Sequence, residues 1–195
     1  MTNSDVLLRD ASNNDGDGIA DVIRQVFAQY PNCPFDRAAE FSELDQIETY
    51  LSKRGGKMWV AERDGRIVGC FGIIETPSQA IFELYKVYLL PEARGRGTAK
   101  TLLDMAFDFA RQRGGRTVRL WTDTRFYEGH AFYRKNGFEK LPITRYHADL
   151  GHTWEFAFER SLFDEEMSRS QRDMNQLEDR HSLAPDIRQR GDGHS

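Results

Sequence analysis

The sequence predicts one α/β (α+β) domain in which a mixed central sheet of six to seven strands is flanked by helices. Three observations carry this. A chain of 195 residues suffices for one domain with a real core and leaves little for a second. Strand-type runs and helical stripes follow one another in the order β-α-α-β-β-β-α-β-α-β-β. Between two apolar runs, Asp64-Gly65 is a strong hairpin turn.

Val6–Arg9 reads as a short first strand, and Asn13 to Gly18 as turn and cap chemistry before a helix over about 17–29. That helix carries apolar residues at 19, 22, 23, 26 and 27. Pro31 and Pro34 then force an extended loop. A single helix is expected over 37–53, with Phe41, Leu44, Ile47 and Leu51 on one face. Lys57–Glu62 and Arg66–Glu75 flank the hairpin turn, and Ile81–Leu90 makes a further strand. A helical stripe at 99, 102, 103, 106, 107 and 110 is stopped by Gly114-Gly115. Val118–Thr122, a strand near 139–146 and His152–Glu159 complete the sheet. The expected division is a domain over 1–163 and a polar tail over 164–195, partly helical and then disordered.

Composition narrows the function classes. With 39% hydrophobic and 12% aromatic residues the chain can build a globular core. The net charge of −4 is unevenly spread. The tail holds eight acids and five arginines, so the other 163 residues stand near neutrality at −1. Neither part offers a basic nucleic-acid surface. No apolar run reaches bilayer length, and the polar start shows no signal-peptide core. Cys33 and Cys70 are single thiols, which fits a reduced, cytoplasmic protein. Cys70, in an apolar strand, is read as core. His147 and His152 stand at no metal-ligand spacing with another His or Cys, so no metal is expected.

The most informative segment runs from Leu89 to Leu103. An apolar strand ends at Pro91, a basic glycine-rich corner follows, and a helix opens. Gly95 and Gly97 let successive backbone N–H groups converge, the helix start adds unpaired N–H groups, and Arg94 and Arg96 add charge. Such a corner suits a phosphate or pyrophosphate. A dinucleotide loop would need Gly at 100, which is Lys, and a Walker A loop would need Gly at 94 and 99, which are Arg and Ala.

What Arg94-Gly95-Arg96-Gly97-Thr98-Ala99 does fit is Arg/Gln-x-x-Gly-x-Gly/Ala, and it resembles the acyl-CoA loop of the GNAT superfamily of N-acetyltransferases. The strand Glu83–Pro91 is similar to that family's fourth strand. His130 to Phe138 resembles its late Tyr-x-x-x-Gly-Phe signature, so the likeness covers about residues 80–140. It implies acetyl-CoA as cosubstrate and a sheet splayed between its fourth and fifth strands. It also implies a pantetheine arm paired with the backbone of Val87, Tyr88 and Leu89. The pyrophosphate would be cradled by the segment after Arg94, from Gly95 through Arg96, Gly97, Thr98 and Ala99 to Lys100.

Acetyl transfer to an amine needs a proton acceptor, a polarised carbonyl, a stabilised leaving thiolate and reactants held in line. Tyr133 stands where the family often places a tyrosine that protonates the thiolate, and an unperturbed phenol pKa of about 10 suits that role. Its alternative is aromatic packing beside Phe132 and Phe138. Seven residues earlier the family often has Asn, and this chain has Phe126. Glu83 is the leading base, an acid in an apolar strand sharing a face with Ile81, Tyr85, Val87 and Leu89 unless a bulge breaks the alternation. Its alternative is an exposed strand acid or a partner for Lys86 or Arg119. Asp123, Tyr127 and His130 follow the fifth strand near the reactants, with His130 also able to cap or pack. Trp121 and Trp154 are read as core or pocket walls. Tyr30, Phe35, Asp36 and Glu40 are placed on the acceptor side by position, and Cys33, in the same loop, is read as packing with a place lining a site as its alternative.

The expected activity is acetyl transfer from acetyl-CoA to a small-molecule primary amine, with no nucleic acid or membrane partner and a homodimer left open. Acetylation of a protein N-terminus or Lys, and a non-catalytic acyl-CoA-binding module, are the alternatives.

Overall fold

In the computed structural model, which describes residues 6–163, the seven strands form one sheet in the order β1-β2-β3-β4-β5-β7-β6. The strands are β1 (Leu7–Asp10), β2 (Lys57–Arg63), β3 (Arg66–Glu75), β4 (Ile81–Leu89), β5 (Thr117–Asp123), β6 (Glu139–His147) and β7 (Thr153–Ser161). All neighbours are antiparallel except β4 and β5. Those two are parallel because helix α4 (Thr98–Gln112) makes the crossover between them. The expected tail over 164–195 lies outside the described residues.

Alternation decides which helix each strand meets. Phe82 of β4 is buried and lies edge-on to Phe109 of α4. Tyr85, of opposite parity, stacks on Tyr50 of helix α3 (Ile47–Ser52) on the other face. Of the stripe that the spacing predicts, Leu102, Leu103, Ala106, Phe107 and Ala110 are fully buried and Ala99, at its start, is half-buried. Helix α1 (Gly16–Phe27) packs Ile19, Val22, Ile23 and Val26 into the same core.

The expected single helix over 37–53 is not what forms. Its place is taken by a single turn α2 (Arg37–Glu40), a 3-10 turn over Ser42–Gln46, and α3. Two contacts from distant residues cause the break. The Leu44 carbonyl lies so near Gly16 that a Cβ there would sit 2.1 Å from its oxygen. Asn13 caps α3 from outside, its Oδ1 accepting from Thr49 N at 3.1 Å and its Nδ2 donating to Thr49 Oγ1 at 2.9 Å. An external cap of this kind lets a new helix start at Ile47.

Two irregularities in β4 shape the centre of the sheet. First, it pairs with β5 only at Ile81↔Thr117, Phe82↔Val118 and Glu83↔Arg119, while its pairing with β3 continues to Leu89. The sheet therefore parts beyond Glu83, as the resemblance implies. Second, the register with β3 passes from Gly72↔Tyr85 to Cys70↔Tyr88, so β4 carries an extra residue there. Lys86 sits in this bulge at φ +50. Alternation thus holds from Glu83 to Tyr85 and breaks at Lys86, so the bulge takes Val87 and Leu89 off the face of Glu83, the exception that the sequence reading allows.

The bulge needs a glycine opposite it. A Cβ at Gly72 would stand 2.6 Å from the Tyr85 carbonyl oxygen, a backbone atom with nowhere to retreat. Gly72→Ala is expected to cost about 1–3 kcal/mol, the usual penalty for overpacking. Urea denaturation measures this, and an unchanged midpoint contradicts it.

Candidate active site

The wedge between β4 and β5 opens into a cleft of about 870 Å³. Its walls include Glu83, Tyr85, Lys86 and Tyr88 from β4, with Trp121 and Asp123 from β5. Beyond Glu83 the β4 backbone has no strand partner on that side, so its polar groups face space in which an extended ligand fits.

The glycine-rich corner stands at the end of this strand. Gly95 and Gly97 have φ of +78 and +84, and a Cβ at either would meet nothing within 4 Å. Glycine is therefore required by backbone conformation, and the space beside it is left for a ligand. Gly97 caps α4 without any side-chain hydrogen bond, and the first intrahelical bond is Thr101 N to Gly97 O at 2.9 Å. The N–H groups of Thr98, Ala99 and Lys100 precede it and have no helical partner, and α4 has no acid in its first turn to compete for them.

The side chains of the corner divide differently from expectation. Arg94 does not reach across the loop. Its Nε donates to the Leu89 carbonyl at 3.0 Å and its Nη1 pairs with Glu128, which clasps the strand end to helix α5 (Tyr127–Lys135). Lys100 Nζ pairs with Asp104 one turn on, at 2.6 Å. Arg96 is exposed.

Glu83 is half-buried on the cleft wall, and Lys86, Arg119 and Arg145 are each engaged by another acid. Lys86 Nζ pairs with Glu43 at 2.7 Å, and Arg119 Nη2 pairs with Glu159 at 2.7 Å. Arg145, across the sheet, holds Glu155 at 2.5 Å and lies over the Trp121 ring at 4.4 Å. Among the described residues the Glu83 carboxylate has neither an ion pair nor a hydrogen bond. Burial raises its pKa, with Arg145 and Arg119 opposing from a distance and Glu155 adding to the rise.

Tyr133 of α5 is buried at 6% exposure but lines the cleft. Its ring packs on Phe132, Phe138 and Phe158. Burial pushes the phenol above its usual range, so at neutral pH it is protonated but a weaker acid than the unperturbed phenol that the sequence suggests. Phe126, where the resemblance suggested an amide, joins Tyr30, Phe27 and Tyr88 in an aromatic cluster and offers no hydrogen bond.

The remaining candidates mostly hold the site together. His130 is buried between Phe156 and Phe158, with Nε2 2.9 Å from the Asp123 carbonyl, and burial lowers its pKa. Asp123 is held by Arg125 through contacts of 2.5 to 3.0 Å. Arg125 also reaches the Asn32 carbonyl and Thr153 Oγ1, tying the 30–35 loop to β5 and β7. Tyr127 is exposed, as is Trp154. Of the loop residues, Glu40 and Cys33 line the cleft. Asp36 instead caps α2 through Ala39 N, Phe35 stacks on Phe41, and Tyr30 packs on Phe126. Burial pushes the Cys33 thiol up to about 11, away from reactivity. Glu40 Oε1 accepts from Leu150 N at 2.7 Å, so the β6–β7 hairpin tip leans on α2. Sequence reasoning missed Glu43, Arg125 and Arg145, whose importance depends on contacts with distant residues. Among the described residues no cluster of three metal-ligating side chains forms, and no helix is long and apolar enough to cross a membrane.

Comparison with known proteins agrees with this geometry. The sequence model of the acetyltransferase (GNAT) family matches residues 21–138. The uncharacterized N-acetyltransferase YjgM of Escherichia coli is 37% identical over 139 residues, 69% of this chain and 83% of that protein. Human N-acetyltransferase 8 is 34% identical over 100 residues, 49% of this chain and 44% of that protein. Among solved structures, a Staphylococcus aureus GNAT-family acetyltransferase superposes with a TM-score of 0.69 at 22% identity, over 81% of this chain and 99% of its own. The PaiA N-acetyltransferase of Thermoplasma acidophilum, solved in complex with coenzyme A, gives a TM-score of 0.64 at 22% identity, over 80% and 99%.

An unpaired, half-buried carboxylate should cost stability. For an acid with a raised folded-state pKa, the folded chain binds the proton more tightly than the unfolded chain. Stability from this group therefore falls as pH rises from the ordinary carboxylate range through the raised value, and stays low above it. Glu83→Gln is expected to raise the urea midpoint at pH 7 and to change it little at pH 3. A lowered midpoint at pH 7 would show that Glu83 has a stabilising partner.

Proposed function

The chain belongs to the GNAT family of acetyltransferases and is an acetyl-CoA-dependent acyltransferase, and from that premise we propose that its acceptor is the primary amine of a small molecule. The observation that carries the acceptor class is the walling of the cleft. The 30–40 segment is tied to β5 and β7 through Arg125, and the β6–β7 hairpin tip is tied to Glu40, so two sides of the acceptor end are occupied. A compact amine fits such a space better than a protein surface or an extended polypeptide does.

Acetyl-CoA supplies the thioester whose carbonyl carbon the amine attacks. Gly95, Gly97 and the free N–H groups of Thr98, Ala99 and Lys100 hold the pyrophosphate, with Arg96 adding charge. Arg94 contributes its backbone to the corner, and its side chain fixes the corner against Leu89 and Glu128. The open edge at Val87, Tyr88 and Leu89 pairs with the pantetheine arm. Because the Tyr88 backbone faces Cys70 of β3 and Arg94 already occupies the Leu89 carbonyl, that pairing falls chiefly on Val87 and on the Leu89 amide.

Glu83 accepts the amine proton, through one water, as the N–C bond forms. Its raised pKa makes it a stronger base than a solvated carboxylate. Tyr133 donates its phenolic proton to the sulfur as the C–S bond breaks. Nothing in this scheme requires a covalent enzyme intermediate.

Gly97→Val should abolish the rise in melting temperature that acetyl-CoA causes by binding the folded state. It places a β-branched side chain at positive φ and in the ligand's space. An unchanged acetyl-CoA affinity in this variant would refute the assignment of the corner.

Thiol release from acetyl-CoA with a panel of small amines and amine-bearing peptides tests the acceptor class. Small amines should turn over faster, and a preference for peptides would reverse the reading. With the best amine, Tyr133→Phe should lower kcat while acetyl-CoA binding persists. Glu83→Gln should lose about 10²–10³-fold at neutral pH and regain part of it at higher pH, where the amine is already deprotonated. Near-normal rates in both variants would leave these residues without chemical roles.

A further inference from the structure

Neighbouring side chains in a strand point to opposite faces and should not meet the same partner. Tyr85 and Lys86 break this rule. Tyr85 Oη donates to Glu43 Oε1 at 2.9 Å, and Lys86 Nζ reaches the same oxygen at 2.7 Å. Lys86 Nζ also lies 4.3 Å from the centre of the Phe41 ring. The shared contact exists because the bulge turns Lys86 to φ +50, a conformation that a lysine backbone disfavours. Something must hold it there. Cys70 Sγ contacts the Lys86 carbonyl at 3.3 Å from the adjacent strand, and Gly72 makes room for the Tyr85 carbonyl. Glu43 is the only side chain in this set that grips two successive residues of the bulge, and it comes from the 3-10 turn outside the sheet.

The pair is also an expensive way to stabilise a fold. The Lys86 and Glu43 side chains are only 10% and 13% exposed, so both charges have lost most of their water. An apolar pair of similar volume commonly stabilises as well or better. What an apolar pair cannot do is fix the direction of two adjacent strand residues at one point.

We propose that Glu43 is a positioning residue for acetyl transfer. By gripping Tyr85 and Lys86 together it fixes the bulge, and with it the path of the Val87–Leu89 backbone against which the acyl arm is drawn. The thioester is thereby set in register with Glu83, three residues before the bulge. This rests on the reading of the β4 edge as the acyl-arm site. Glu43 acts through the strand and takes no part in bond making.

Four proteins test this: wild type, Glu43→Gln, Glu43→Ala, and the double variant Glu43→Leu with Lys86→Met. Acetyl-CoA affinity is read by calorimetry, stability by urea, and kcat and KM by thiol release, with kcat counted per acetyl-CoA-binding site. Glu43→Gln keeps an acceptor oxygen for both donors and should retain most of kcat. The alanine and double variants should lose roughly 10- to 100-fold in kcat, as expected for reactants displaced by about an ångström. The double variant should do so at a near-normal urea midpoint. A double variant that is stable and turns over at the wild-type rate would overturn the proposal, as would an alanine defect confined to stability. Failure of the wild type to bind acetyl-CoA would instead overturn the reading of the β4 edge itself.

Discussion

The site depends on one constraint: β4 leaves β5 after three paired residues, although both strands continue. Backbone polar groups in a protein interior need partners, and leaving them without one costs about as much as a lost hydrogen bond. Between Leu84 and Tyr88 this strand borders a cleft where a neighbouring strand would lie, and at its end the Leu89 carbonyl is met by Arg94. The fold tolerates the gap because each half of the sheet is anchored independently. β3 holds β4 as far as Leu89, and β7 holds β5 along its whole length. The crossover through α4 brings the helix start to the same end of the strand. An extended chain and a pyrophosphate can therefore be bound in continuity by backbone alone.

Charge in the cleft is arranged around the same gap. Lys86 with Glu43, Arg125 with Asp123, Arg119 with Glu159 and Arg145 with Glu155 are each closed pairs. Their closure leaves Glu83 with its charge unneutralised on the wall. An exposed ion pair contributes little to stability, but here the pairs have a second effect. Each of these cations is engaged by its own acid, so among the described residues none forms an ion pair with Glu83, the carboxylate proposed as the base, and Arg145 and Arg119 act on it only from a distance. Under the proposed base role, stability and reactivity pull against each other at this residue.

What the sequence made legible follows from how local each cause is. The α4 stripe, the hairpin turn at Asp64-Gly65 and the Gly95/Gly97 corner are set by residues a few positions apart, and they form as expected. The break between Arg37 and Ser52 was hidden because Asn13 and Gly16, far back in the chain, cause it. Arg94 reads as a phosphate ligand from its place beside Gly95, whereas the fold brings the Leu89 carbonyl and Glu128 within reach of its side chain. His130 has a suitable ordinary pKa, yet the aromatic rings around it and the Asp123 carbonyl make it a packing residue. Glu83 was the reverse case. Its candidacy was visible in the strand, but its freedom from Lys86 and Arg119 depends on Glu43 and Glu159, which only the fold brings near.

On the proposed reading, the unpaired β4 edge and the α4 corner bind acetyl-CoA through their backbone N–H groups. Amide hydrogen exchange, followed residue by residue with and without acetyl-CoA, tests it most directly. Slowed exchange should appear in β4 within Val87–Leu89 and in the corner from Gly95 to Lys100, with β1 and β2 unchanged. Acetyl-CoA binding that leaves both segments exchanging at their free rates would contradict the account.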